Sequence, residues 1–65
     1  MPGKIVSVKE GKTIYRDKTR DGFPLYVKKT KIPRVPPWFS VAWSPDAATW
    51  IGPFGTYARA KAFLN

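Results

Sequence analysis

The sequence predicts an α+β domain: a small antiparallel sheet of three or more strands with one short C-terminal α-helix. Three observations predict it. Short β-rich runs, the first with roughly alternating apolar and polar residues, recur at residues 4–9, 13–15, 25–27, 38–43 and 49–52. Turn chemistry separates them at Glu10-Gly11-Lys12, Asp21-Gly22 and Ser44-Pro45-Asp46. Only residues 57–64 carry a helical pattern behind a capping residue, Thr56.

The elements follow in order. Ile5, Val6 and Val8 among Lys4, Ser7 and Lys9 read as a strand, and Glu10-Gly11-Lys12 turns it into Thr13-Ile14-Tyr15, a hairpin. Residues 16–22 hold almost nothing apolar, so they read as a loop that exposes Arg16, Lys18 and Arg20. Gly22 accepts positive φ, and a new strand begins at Leu25-Tyr26-Val27. Pro33, Pro36 and Pro37 argue against a helix or central strand, which makes residues 32–37 an extended connector carrying Arg34. Residues 38–43 and 49–52 form a second hairpin around Ser-Pro-Asp. In the final helix Tyr57, Ala60, Phe63 and Leu64 share the face that lies on the sheet.

The 65 residues bound a single domain, 1–65, that buries roughly 60% of its unfolded surface, so the core is thin. Hydrophobic residues at 43% and aromatics at 15% are too many for a disordered tail. The chain divides into a basic half, residues 1–34, with ten basic and three acidic side chains, and an aromatic half, residues 38–65, with seven of the ten aromatic rings. That second half is expected to supply most of the core. No apolar run reaches signal-peptide or membrane-span length, so a cytoplasmic protein that engages no membrane is the default expectation.

Function classes narrow by the same reading. Cysteine and histidine are absent, and Glu10, Asp17, Asp21 and Asp46 sit in polar or turn-like stretches. No nucleophile–base pair, metal-ligand set or phosphate-binding glycine loop is present, so neither catalysis nor a metal or other cofactor is expected. A net charge of +8 points to a polyanionic partner, nucleic acid first; among nucleic acids duplex DNA is the first choice, although charge alone does not select it.

The candidate contacts are Arg16, Lys18, Arg20, Lys28, Lys29, Lys31 and Arg34 for phosphates, with Trp38 and Trp50 for bases or sugars. If Trp43 pairs with Thr49, alternation sends Phe39, Val41, Trp43 and Ile51 to the core. Trp38, Ser40, Ala42, Trp50 and Gly52 then share the other face. A shift of one residue reverses the two faces and buries Trp50. For Lys28, Lys29, Lys31 and Arg34 the plain alternative is an edge strand guarded by lysines against aggregation. The alternative function is a small modulator of phage or plasmid type that docks on an acidic host protein.

Residues 49–60, Thr-Trp-Ile-Gly-Pro-Phe-Gly-Thr-Tyr-Ala-Arg-Ala, carry a Trp-hydrophobic-Gly-x-Phe-x-Thr pattern before an alanine-rich helix. The segment resembles the last strand and helix start of ethylene-response-factor-type DNA-binding domains and of the arm-type domains of phage integrases. Pro37-Trp38 similarly resembles the Pro-Trp before the middle strand of that family. The resemblance implies a three-stranded antiparallel sheet on one helix, with strand side chains in the major groove and Trp50 as a contact. Ser40, Val41 and Ala42 stand where the family often has a base-reading arginine, so phosphate contacts rather than base readout are expected.

Overall fold

The computed structural model describes residues 3–65. Five strands, β1 (Lys4–Lys9), β2 (Lys12–Lys18), β3 (Pro24–Ile32), β4 (Val35–Ala42) and β5 (Ile51–Phe54), precede one helix, α1 (Tyr57–Leu64). The sheet is antiparallel throughout and its spatial order is the chain order, a meander. The architecture is the predicted α+β type, with more strands than the minimum of three.

Local chemistry explains each turn. The β1–β2 hairpin closes through Glu10 and Gly11, and Gly11 takes φ 79, where an added Cβ would also stand 2.5 Å from the Lys31 carbonyl oxygen. Its own carbonyl accepts from the Lys31 amide at 2.7 Å, prolonging the β2–β3 ladder to the end of the sheet. Between β2 and β3 the turn is tied by Thr19, whose amide donates to the Phe23 carbonyl and whose hydroxyl accepts from the Phe23 amide at 3.0 Å. Arg20 lies in this turn, and its amide donates to the Asn65 side chain at the end of the chain.

Two expectations about the connections are corrected. Residues 16–22 are not one loop: Arg16 and Lys18 belong to β2, because Arg16 pairs with Tyr26 and Asp17 with Leu25. A polar strand forms there because β2 has a partner on each side, whatever its own apolar content. Residues 32–37 are not an extended connector either. Pro33 and Arg34 make a tight turn, with the φ of Arg34 at 68, and Pro36 and Pro37 fall in an irregularity of β4 between the Thr30–Trp38 and Ile32–Val35 pairs. Prolines are tolerated at such a bulge because no ladder bond needs their missing amides. The plain alternative of a lysine-guarded edge strand also falls, since β3 is the middle strand.

The helix begins as predicted: Thr56 is extended and its hydroxyl accepts from the Arg59 amide at 3.1 Å. It lies against β3, β4 and β5 and buries Ala60 over Leu25, Val27 and Val41, with Phe39, Phe54, Tyr57 and Leu64 packed around them. Full burial of each large aliphatic side chain contributes roughly 1.5–3 kcal/mol, so the centre is small. The aromatic half supplies most of this core, as expected, through Val41, Ala42 and Ala60 with the half-buried Phe39, Phe54, Tyr57 and Leu64, while Leu25 and Val27 come from the basic half. Trp43 and Phe63 are 55% and 57% exposed, outside the core expected for them. Ile51 pairs with Val41 as expected, but at the sheet edge it stays exposed. No helix among the described residues is long and apolar enough to cross a membrane.

Candidate nucleic-acid interface

In an antiparallel sheet paired residues share a face and successive residues alternate, so the register fixes which side chains stand together. Leu25, Val27 and Lys29 of β3 point to the side of α1; Tyr26, Lys28 and Thr30 point away from it. Carried across the sheet, the side away from α1 receives Lys12, Ile14, Arg16 and Lys18 from β2 and Lys4, Ser7 and Lys9 from β1. From β4 it receives Trp38, Ser40 and Ala42. We term this the basic face.

Its cations are arranged against one another. Lys4 is directly opposite Arg16, and Lys9 directly opposite Lys12, on the same hairpin and the same face. All four side chains are exposed, as is Lys18. Like charges directly across a strand pair destabilise the sheet, each by a few tenths of a kcal/mol up to about 1 kcal/mol. Partial burial and the nearby Lys12 also hold the Lys28 ammonium below its ordinary pKa. No strand residue of this face is acidic.

Aromatic rings adjoin the cations. Tyr26 pairs with Arg16 and lines two shallow depressions with it, one including Lys4 and Lys18 and the other Lys9 and Ile14. Trp38 pairs with Thr30, which is buried. Trp50 precedes β5, and the Lys28 ammonium lies over its ring, 4.7 Å from the centroid, a cation–π contact that assigns the indole to this face. Ser40 and Ala42 are buried here rather than left open beside the indoles. Gly52 packs against Ser40, where an added Cβ would stand 3.2 Å from the hydroxyl oxygen, and Pro45 and Asp46 line a depression with Tyr26, the partner of Ala42. Asp46 accepts from the Ser44 hydroxyl, which holds its carboxyl below the usual range and charged at the rim.

The sheet thus brings together Arg16, Lys18, Lys28, Trp38 and Trp50 of the nine residues singled out in the sequence. Lys29 instead pairs with Phe39 on the helix side, while Arg20 and Arg34 sit in turns and Lys31 in an irregular step of the β3–β4 pairing. Lys4, Lys9, Lys12 and Tyr26 join the face without having been singled out. A signal for them was present: a two-residue turn at Glu10-Gly11 makes Lys9 face Lys12, and Tyr26 is two residues from Lys28.

Behind the face, one acid is taken up by the helix. Asp17 projects to the α1 side, where the Tyr57 hydroxyl donates to it at 2.8 Å and the Lys61 ammonium stands 3.4 Å away. Burial pushes this carboxyl up, but the Lys18 amide, the Tyr57 hydroxyl and Lys61 outweigh it and hold the pKa below the ordinary value. Burial above all pushes the Tyr57 phenol up to about 12; the Gly3 amide that donates to it opposes this, and the hydrogen bond to Asp17 and the Asp17 charge add to the rise. Among the described residues no group of three potential metal ligands clusters. Comparison with family models, curated proteins and solved structures finds no match to this chain.

Proposed function

We propose that the chain binds nucleic acid through the basic face, as a binding protein with no catalytic role. The reading rests above all on the like-charge pairs Lys4–Arg16 and Lys9–Lys12. Folding alone disfavours such pairs, whereas a phosphate bridging each would convert a repulsion into two charge-assisted contacts. Lys18 and Lys28 extend the cationic surface, and Trp38, Trp50 and Tyr26 offer rings to bases or sugars. Duplex DNA is the form implied by the resemblance of residues 49–60, where a sheet on one helix lays its strands in the major groove.

A second reading, docking on an acidic protein, is favoured by a different observation: Ile5, Val6 and Val8 are exposed along the edge strand β1, between Lys4 and Lys9. Titrations of labelled duplex DNA, single-stranded DNA and RNA of matched length, followed by anisotropy and tryptophan fluorescence, separate the two. Nucleic-acid binding predicts affinity that falls linearly in log salt, with indole quenching. Absence of binding to all three at low salt refutes it and favours the acidic protein.

A further inference from the structure

The cations and the rings of the basic face are unevenly divided across the sheet and meet on its middle strand. Five of its cations, Lys4, Lys9, Lys12, Arg16 and Lys18, stand on β1 and β2. From Val35 through Phe54, which covers β4, the following loop and β5, there is no lysine or arginine, and the one charged residue is Asp46. That half carries Trp38 and Trp50, and the middle strand between the halves carries Tyr26 and Lys28. The face is cationic along one side and aromatic along the other.

A duplex does not suit this division. A sheet laid in a major groove about 12 Å wide meets a phosphate backbone on each flank, so cations are wanted at both margins of the face. Here the β4 margin has none; Asp46, on the loop after β4, lines a depression with Tyr26, Lys9 and Arg16. An unpaired strand has the complementary division: phosphates along one side and bases, each with a free π-face, along the other. Strands about 4.8 Å apart put the β3 and β4 rings within one or two strand spacings of the β2 cations.

Resting on the nucleic-acid reading, we infer that the basic face takes an unpaired polynucleotide, its backbone along β1 and β2 and its bases on Tyr26, Trp38 and Trp50. Lys28 is the switch between the halves. In the free protein its ammonium occupies the Trp50 ring; in the complex a base takes the ring and the ammonium moves to a phosphate. The shared chemistry is that of single-stranded DNA and RNA, since no feature of the face selects for or against a 2′-hydroxyl.

The test is competition at one salt concentration among unpaired DNA, unpaired RNA, duplex DNA of matched length and heparin, which offers charge without bases. The expected result is that at least one unpaired strand binds about tenfold more tightly than duplex and heparin, and quenches tryptophan where heparin does not. In Tyr26→Leu and Trp50→Leu, checked for folding by circular dichroism, unpaired-strand affinity falls roughly 5- to 150-fold, the equivalent of about 1–3 kcal/mol of stacking. Their salt slope and heparin affinity stay unchanged. Duplex binding equal to or tighter than that of both unpaired strands overturns the inference and leaves the nucleic-acid reading standing. Failure of every nucleic acid to bind at low salt overturns both. The wild-type competition needs no variant, so a misfolded variant does not rescue the proposal.

Discussion

If the hairpin cations are placed for an anion rather than for the fold, reversing one of them should stabilise the free protein while weakening binding. Lys9→Glu is the cleanest case, because Lys9 and Lys12 are exposed and directly opposed. The change replaces a repulsive cross-strand pair with an attractive one. Each is worth a few tenths of a kcal/mol, so the swing is on the order of 1 kcal/mol at low salt and smaller once screened. For a domain of this size that corresponds to a rise in melting temperature of about 4–8 °C. Removing one phosphate-binding cation lowers the slope of log affinity against log salt by roughly 0.7 for a single strand. Thermal melts by circular dichroism at two salt concentrations, alongside anisotropy titrations, read both effects. A Lys9→Glu protein that melts lower than wild type, or binds with an unchanged salt slope, would refute the assignment of this hairpin to anion binding.

Three further outcomes are expected. Arg16→Gln, on the basic face, should reduce the salt slope by about 0.7, whereas Lys29→Gln, paired with Phe39 on the helix side, should leave it unchanged; titrations over a salt series distinguish the two. Arg34 holds φ 68 behind Pro33, so Arg34→Gly should remove a left-handed strain of roughly 1 kcal/mol and raise the melting temperature measured by circular dichroism. For pH, the folded pKa of Asp17 is depressed, so its stabilisation is present above the unfolded value near 3.8 and is lost as pH falls through the folded pKa. The folded pKa of Tyr57 is raised, so its contribution is present below the unfolded value of 10.0 and is lost as pH rises through about 12. Melts across pH should show both limbs, and Asp17→Asn should reduce the acid one, leaving the part that Asp46 contributes.

How far the sequence discloses this arrangement depends on what each residue reports. Gly11, Gly22 and Thr56 act locally, through φ or a side-chain cap, so the turns and helix start could be read from single positions. The strand over residues 16–18 could not, because its hydrogen bonds come from β1 and β3 and its composition resembles a loop. Prolines 36 and 37 misled in the opposite sense: they mark a bulge, and the chain continues into β4 beyond it. The alternation that assigns Trp38 to one side with Ser40 and Ala42 describes β4, yet alternation within a strand is silent about what packs over those two residues. The basic face was half legible. Its members are fixed by register, a relation between strands, and the lysines with the clearest partners, Lys9 and Lys12, look like ordinary turn-flanking charges when taken one at a time.

The thin core gives the repulsive hairpin its functional meaning. A domain of this length holds about 3–10 kcal/mol of net stability, so two opposed cationic pairs on β1 and β2 remove an appreciable share of it. The one acid on these strands, Asp17, points to the other side, where Tyr57 and Lys61 engage it. Glu10 in the turn lines a depression with Lys9 and Lys12, and Asp46 lines one with Lys9 and Arg16, so the hairpin charge is only partly offset within the chain, and β1, which packs only on β2, is the element most exposed to the remaining repulsion. A polyanion that binds the folded hairpin but not the separated strands adds stability as RT ln(1 + [L]/Kd), about 2.7 kcal/mol at a hundredfold excess over Kd. Binding should then tighten β1 onto β2 more than it changes β3, β4 or α1. Amide hydrogen exchange measures this element by element: protection gained chiefly in residues 4–18 on adding a single strand supports the linkage, and a uniform gain across the sheet contradicts it.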